Sequence, residues 1–133
     1  MAKILICDDS RFMLTLFEKG LREAGLDVVG KAADGLECLA LYKTTQPDLV
    51  LLDITMPNMD GRDCLKELIK LDPAVQVIMV TAVGDEAVKK ECLELGAKAF
   101  VPKSKLSSPD SFKQAVAETV LPLLKNSRES KAS

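Results

Sequence analysis

The sequence contains no histidine and no tryptophan, and aromatic residues make up only 4% of its 133 residues. Its four cysteines, Cys7, Cys38, Cys64 and Cys92, lie far apart and include no Cys-x-x-Cys pair. Without histidine or paired cysteines, the chain lacks the usual ligands of a zinc site. We therefore expect the cysteines to be reduced and mostly buried.

Long apolar runs are also missing, since none approaches the ~20 residues that a membrane-spanning helix requires. The first run, Ile4 to Cys7, is too short for the core of a signal peptide and has no small-residue cleavage site. Eighteen basic and twenty acidic residues give a net charge of −2, which provides no basic surface for nucleic acid. These features predict a cytoplasmic protein that contacts neither membranes nor nucleic acid directly.

The sequence does contain five short apolar runs, each of a length typical of a β-strand. They are Ile4 to Cys7, Val28 to Val29 with its flanks, Leu49 to Leu52, Val75 to Val80, and Ala99 to Val101. The third and fourth runs do not alternate apolar with polar residues. That pattern is typical of parallel strands covered by helices on both faces.

Segments with helical spacing of apolar residues follow the five runs, and several have recognisable ends. Asp34 caps the start of the second helix and Asp85 starts the fourth. Gly25 ends the first helix, and Asp72-Pro73 ends the third. Pro122 should kink or shorten the fifth helix. Strict alternation predicts an α/β fold with a five-stranded parallel sheet and five helices on both faces. We expect one domain over residues 1–125 and a disordered polar tail over residues 126–133.

Polar residues stand directly after the strands, where open α/β sheets bind their ligands. They are Asp8, Asp9, Asp53, Thr81 and Lys103. Two carboxylates about 4 Å apart repel by roughly 4 kcal/mol at an effective dielectric near 20, so this cluster needs a cation. An all-oxygen ligand set without histidine or cysteine suits Mg²⁺. The set fits phosphoryl transfer, with Asp53 as the nucleophile and Lys103 and Thr81 stabilising the phosphoryl oxygens.

The acidic residues stand in a wider pattern that resembles the response-regulator receiver family of two-component signalling. The pattern consists of Asp8-Asp9, the stretch LLDITMPNMDG over residues 51–61, Thr81-Ala82, Gly96-Ala97 and Lys103. The resemblance covers about residues 3–125. It implies a flavodoxin-like sheet of strand order 2-1-3-4-5, which the apolar periodicity alone does not specify.

The resemblance also implies roles for single residues. Asp53 matches the phosphoacceptor, while Asp9, Asp53 and the backbone carbonyl of Thr55 match the direct Mg²⁺ ligands. Asp8 matches the carboxylate that acts through a metal-bound water. Thr81 matches the hydroxyl switch residue and Phe100 matches the aromatic switch residue.

The loop after the fifth run departs from the family pattern. Receivers usually place proline directly after the conserved lysine, in a cis peptide, but here the order is Pro102-Lys103-Ser104. A cis bond without proline would cost ~2.5–4 kcal/mol, so we expect a trans bond or a rebuilt loop. Pro102 is tolerable if the fifth strand is an edge strand. Lys105 is the alternative candidate for the role of Lys103.

In this family, the residues two positions after the phosphoacceptor and after the switch threonine influence hydrolysis of the acyl phosphate. Here they are Thr55 and Val83. Val83 cannot orient a water molecule, so we expect slow autodephosphorylation. Apart from this reaction and Mg²⁺-dependent self-phosphorylation, we expect no enzymatic activity.

The predicted function is a signalling switch. A sensor histidine kinase or phosphotransfer protein donates the phosphoryl group, and the surface of the fourth helix, fifth strand and fifth helix then binds a downstream protein. One alternative is a receiver fragment of a larger regulator. Another is a haloacid-dehalogenase-type phosphohydrolase, but Asp53-Ile54-Thr55 lacks that family's second aspartate.

Overall fold

The computed structural model describes residues 2–82 and 86–125, which form strands and helices in strict alternation. The elements are β1 (Lys3–Cys7), α1 (Arg11–Glu23), β2 (Asp27–Ala32), α2 (Gly35–Thr45), β3 (Leu49–Asp53), α3 (Gly61–Leu71), β4 (Val77–Thr81), α4 (Glu86–Leu95), β5 (Ala99–Pro102) and α5 (Pro109–Ala115). A 3₁₀ turn, Lys103–Leu106, links β5 to α5, and a π turn, Val116–Val120, follows α5.

The strands form one parallel sheet in the order β2-β1-β3-β4-β5. This arrangement confirms the predicted fold class and strand order. β2 is longer than its apolar run indicated, and its pairing with β1 shifts register between Ile4 and Leu5. β5 lies at the edge of the sheet, which is where Pro102 causes least disruption.

Two apolar layers cover the sheet. Side chains from α1 and α5 pack on one face, and side chains from α2, α3 and α4 pack on the other. Every residue of β3 and β4 is buried, as their unbroken apolar sequences predicted. The two layers hold the central strands rigidly, so the residues at their carboxyl ends have fixed positions.

The helix ends agree in part with the predictions. Asp34 caps α2 by accepting a hydrogen bond of 2.8 Å from the backbone N–H of Glu37. The chain leaves α1 through Gly25, whose φ of 82° lies in the left-handed region that favours glycine. α3 ends at Leu71, before Asp72-Pro73, as predicted. The predicted start of α4 at Asp85 and the predicted tail lie outside the described residues.

The prediction that Pro122 kinks or shortens the fifth helix is wrong as regards shortening. The chain stays helical over residues 121–125, so the proline does not shorten the helix. The turn before it is a π turn, in which the Leu121 N–H donates to the Val116 carbonyl five residues earlier. Proline has no N–H, and the helix accommodates it by changing its hydrogen-bond pattern one residue before the ring.

Candidate functional site

Three carboxylates meet at the carboxyl edge of the sheet. Asp53 is the last residue of β3, and Asp8 and Asp9 directly follow the neighbouring strand β1. One carboxylate oxygen from each lies within 4.8 Å of the other two. Asp8 and Asp53 are buried, whereas Asp9 is exposed to solvent. The structure thus brings together the three carboxylates that the sequence placed at strand ends.

Asp8 is fixed by its own backbone and by the following helix. Its N–H donates to the Ala32 carbonyl at 2.9 Å, and its Oδ1 accepts from the Ser10 N–H at 2.9 Å. Its Oδ2 is buried and accepts no hydrogen bond within the described part of the chain. A buried carboxylate oxygen without a hydrogen-bond donor is costly unless a cation compensates it. The position of Asp8 Oδ2 therefore favours a positively charged group next to it.

Lys103 supplies part of that charge. Its Nζ forms ion pairs at 2.9 Å from Asp8 Oδ2 and 3.3 Å from Asp53 Oδ2. The lysine begins the 3₁₀ turn after β5, and its peptide bond to Ser104 is trans, as predicted. Lys105, the alternative candidate, is exposed. The structure therefore places Lys103 at the acidic cluster, despite the reversed order of proline and lysine.

The charges of the cluster alter the pKa values of its members. Burial and the neighbouring Asp8 carboxylate raise the pKa of Asp53 to about 6, against the opposing effects of Lys103 and the Thr55 N–H. Burial alone would lower the pKa of Lys103, but the carboxylates of Asp8 and Asp53 outweigh it and raise this pKa. At neutral pH the site therefore holds an ionised Asp53 beside a protonated Lys103.

Thr81 and Phe100 lie on neighbouring strands beside this cluster. Thr81 is the buried last residue of β4 and pairs in register with Pro102. Phe100 pairs with Met79 and packs, partly buried, against the core of the α2–α4 face. Side chains alternate along a strand, so Thr81 lies on the same face of the sheet as Met79, two residues before it. Phe100 pairs with Met79 and therefore occupies this face too. Their roles as switch residues stay a prediction.

Thr55 is exposed, and its backbone N–H acts to lower the pKa of the Asp53 carboxyl. The role of the Thr55 carbonyl as a metal ligand stays a prediction. Val83, the second residue implicated in dephosphorylation, lies outside the described residues.

The loop between β3 and α3 is held close to the phosphoacceptor candidate. The Gly61 N–H donates to the Ile54 carbonyl at 2.7 Å. A Cβ at Gly61 would lie 2.1 Å from the Asp53 carbonyl oxygen, so only glycine fits. The sequence contained a signal for this contact in Asp60-Gly61, because Asp60 caps α3 and Gly61 is its first residue. Sequence reasoning recognised a turn there but not its contact with Asp53.

The same loop is tied to the beginning of α2. Asn58 Nδ2 donates to Asp34 Oδ2 at 2.8 Å, and the Gly35 N–H donates to the Met59 carbonyl at 3.2 Å. Asn58 itself has a φ of 66°, in the left-handed region that asparagine tolerates better than most residues. These contacts fix the loop on the side away from Lys103.

Comparison with known proteins agrees with this geometry. Residues 4–117 match the family model for the response regulator receiver domain. The chain is 41% identical over 101 residues to the chemotaxis protein CheY of Thermotoga maritima, covering 76% of this chain and 84% of that protein. It is 40% identical over 101 residues to CheY of Bacillus subtilis, with the same coverage of 76% and 84%.

Solved structures show the same fold. A chain in the crystal structure of the CheX-CheY-BeF3-Mg+2 complex from Borrelia burgdorferi superimposes with a TM-score of 0.82, at 36% identity, covering 90% of each chain. The response regulator domain of Thermotoga maritima CheB superimposes with a TM-score of 0.81 at 32% identity, covering 96% of this chain and 97% of that one. In the described residues, no helix is long and apolar enough to span a membrane.

Proposed function

The chain belongs to the response-regulator receiver family of two-component signalling, and we propose that residues 1–125 act as a switch phosphorylated on Asp53. The observation that carries this proposal is the buried Asp53 carboxylate, whose Oδ2 lies 3.3 Å from Lys103 Nζ and which shares the site with Asp8 and Asp9. A carboxylate held this way is ionised at neutral pH and is positioned to attack phosphorus.

The phosphoryl step follows from the arrangement of the side chains. A carboxylate oxygen of Asp53 forms a bond to phosphorus while the bond to the donor's leaving group breaks, which gives an acyl phosphate. Lys103 neutralises charge on the phosphoryl oxygens, and the Thr81 hydroxyl donates a hydrogen bond to one of them. The histidine of a sensor kinase or phosphotransfer protein is the proposed donor.

The residues present fit a Mg²⁺ ion. The buried Asp8 Oδ2 without a hydrogen bond and the all-oxygen donor set are what a hard cation requires. Asp9, Asp53 and the Thr55 carbonyl would hold the ion directly, and Asp8 would act through a bound water. When bound, Mg²⁺ supplies positive charge to the carboxylates and the incoming phosphoryl oxygens.

The output proposed for this switch is a change in affinity for a protein partner. Thr81 and Phe100 lie on the same face of the sheet, so a rearrangement at the phosphorylated site can alter the surface of α4, β5 and α5. The Borrelia relative was solved in complex with CheX. We place the protein in the cytoplasm and assign it no nucleic-acid or membrane partner.

The direct test is incubation of the protein with Mg²⁺ and acetyl phosphate, followed by intact-mass measurement. Wild type should gain one phosphate, and Asp53→Ala should gain none. A phosphate adduct that persists in Asp53→Ala would contradict the assignment. Omitting Mg²⁺ should abolish the adduct in wild type, which separates site-specific phosphorylation from non-specific acylation.

The lifetime of the acyl phosphate gives a second test. Valine at position 83 cannot orient the attacking water, so phosphorylated wild type should hydrolyse slowly. Val83→Glu introduces a group that can do so, and the phosphorylated mass should decay about 10²-fold faster, which is the lower end of the ~10²–10⁴-fold that a positioned general base contributes. Equal decay rates would refute this role.

A phosphohydrolase is a weaker candidate. The residue two positions after Asp53 is Thr55, so the acid that would protonate a leaving group is missing from Asp53-Ile54-Thr55. The family match also favours the switch.

A further inference from the structure

A cluster of thiols lies behind the acidic site. Cys7 is the last residue of β1 and directly precedes Asp8, and its Sγ lies 2.8 Å from the Sγ of Cys38 in α2. Cys64 of α3 belongs to the same buried core and donates to the Gly35 carbonyl, one turn before Cys38, at 3.6 Å. All of these thiols are free and buried.

We propose that Cys7 and Cys38 form a site of reversible disulfide formation, which fastens α2 to β1, the strand that directly precedes Asp8. The two sulfur atoms come from residues 31 positions apart, so the fold and not the local sequence brings them together. A disulfide requires a sulfur separation of about 2.05 Å, which is a movement of less than 1 Å from the observed contact.

The position of α2 explains how an oxidant reaches a buried pair. Gly35 and Cys38 are the buried residues of this helix, and its other residues are exposed or half-buried. A helix that buries few side chains opens locally at lower cost than the central strands. Opening of α2 exposes Cys38 first, because β1 lies in the interior of the sheet between β2 and β3.

The oxidant class that suits this site is a low-molecular-weight disulfide such as oxidised glutathione. The Cys38 thiolate attacks one sulfur of the reagent, which forms a mixed disulfide and releases one reduced thiol. Burial raises the pKa of the Cys7 thiol in the closed protein, so the second step occurs while α2 is still open: the Cys7 thiolate attacks the Cys38 sulfur and releases the second reduced thiol. The two protein thiols are oxidised, the reagent disulfide is reduced, and the two protons end on the released thiols.

Cys64 is a poorer partner for Cys38. Its thiol also interacts with Cys38, but it donates to the Gly35 carbonyl at 3.6 Å, whereas the sulfur atoms of Cys7 and Cys38 are only 2.8 Å apart. Cys92 provides a matched control, because it is the buried residue of α4 and lies on the same face of the sheet.

The test treats the native full chain with oxidised glutathione, quenches with acid, alkylates the remaining thiols and measures intact mass and peptides. We expect a species that carries two alkyl groups, where the fully reduced protein carries four, and in which the Cys7 and Cys38 peptides are linked. This link should persist in Cys64→Ala and Cys92→Ala and disappear in Cys38→Ala. Because the peptide map is obtained on wild type, it remains decisive if a variant fails to fold.

Three results would overturn the proposal. They are a stable glutathione adduct on Cys38 without the link, a link between Cys38 and Cys64, and a link that forms only in denaturant. Hydrogen exchange tests the structural consequence separately. The amides of α2 should exchange at least tenfold more slowly in the oxidised protein, and unchanged exchange would show that the helix is not fastened.

Discussion

At the scale of single residues, the main feature is that Asp53 and Asp8 are negative charges buried side by side. The unfolded chain releases the Asp53 proton near its ordinary pKa of 3.8, whereas the folded protein holds it until about pH 6. Stability therefore falls as pH rises through this window, since the folded state binds more protons than the unfolded state. In the absence of a divalent cation, the ionised Asp53 destabilises the protein above pH 6.

Asp53→Asn removes this charge and should stabilise the metal-free protein at pH 8. The expected gain in the free energy of unfolding is about 1–2 kcal/mol, after discounting for water that enters the cluster. It should shrink toward zero near pH 4. Urea denaturation in EDTA at pH 4, 6 and 8 measures it. Asp63→Asn, at an exposed site on α3, should show no such trend, and a gain in Asp53→Asn that is independent of pH would contradict the explanation.

Lys103→Met tests the basic half of the site. Removing Nζ leaves the carboxylates of Asp8 and Asp53 without their 2.9 Å and 3.3 Å ion pairs, which should cost roughly 2 kcal/mol in metal-free buffer. It should also slow phosphorylation by acetyl phosphate. Lys105→Met should change stability by less than about 0.5 kcal/mol, because its side chain is exposed. Larger effects at Lys105 than at Lys103 would reverse the assignment.

The residues that sequence reasoning found are those whose position follows from a strand end. Asp8, Asp9 and Asp53 could be predicted because parallel strands bring their carboxyl ends to one edge. The Thr55 N–H could not, because the direction of a backbone donor depends on the conformation of the loop. Nor could the contact between Cys7 and Cys38, which requires knowing how α2 crosses β1.

At the scale of secondary-structure elements, the tight junction between β3 and α3 positions the phosphoacceptor. Gly61→Ala should cost about 3 kcal/mol, because its Cβ would meet the backbone of Asp53 and Ile54, which cannot move freely. Displacing Asp53 should also reduce the yield of phosphorylated protein.

Gly25→Ala is the control for Gly61→Ala. A Cβ at position 25 would have no atom within 4 Å, so the substitution causes no clash. Only the strain of placing alanine at a φ of 82° remains, which should lower the free energy of unfolding by about 1 kcal/mol. It lies at the end of α1, away from Asp53, and phosphorylation should be unchanged. Equal losses of stability and activity in both variants would show that the clash at Gly61 has no special role. Urea denaturation and intact mass measure the two effects.

Strands and helices could be predicted where the spacing of apolar residues and the residues that begin or end an element agreed. β3 and β4 were found from unbroken apolar runs, although Val75 lies before β4 and not within it. β2 was underestimated because Gly30 and Lys31 interrupt its apolar pattern. The π turn before Pro122 was missed, since the sequence shows that a proline disturbs a helix but not which hydrogen bonds will replace those it removes.

At the scale of the whole molecule, alternation of strands and helices predicted the layered fold. The strand order came from family resemblance, because periodicity does not specify which strands are neighbours. A cation bound to the three clustered carboxylates should then stabilise the entire domain.

Mg²⁺ should therefore stabilise the protein against urea at pH 7.5. At 10 to 100 times the dissociation constant, the gain should be about 1.4–2.7 kcal/mol, and chelation should remove it. Asp9→Asn should reduce the gain, because Asp9 belongs to the acidic cluster. Glu94→Gln, an exposed substitution on α4, should not. An unchanged response in Asp9→Asn would argue against binding at this cluster.

The two hydrogen bonds that join the β3–α3 loop to the start of α2 have a mechanical consequence. The bonds from Asn58 to Asp34 and from Gly35 to Met59 restrain the relative motion of these two segments. While α2 is closed, we therefore expect the loop behind the phosphoacceptor and the first turn of α2 to move together. Any displacement of that loop carries with it the exposed Leu36 side chain, which converts a local change at the site into a movement of the outer surface.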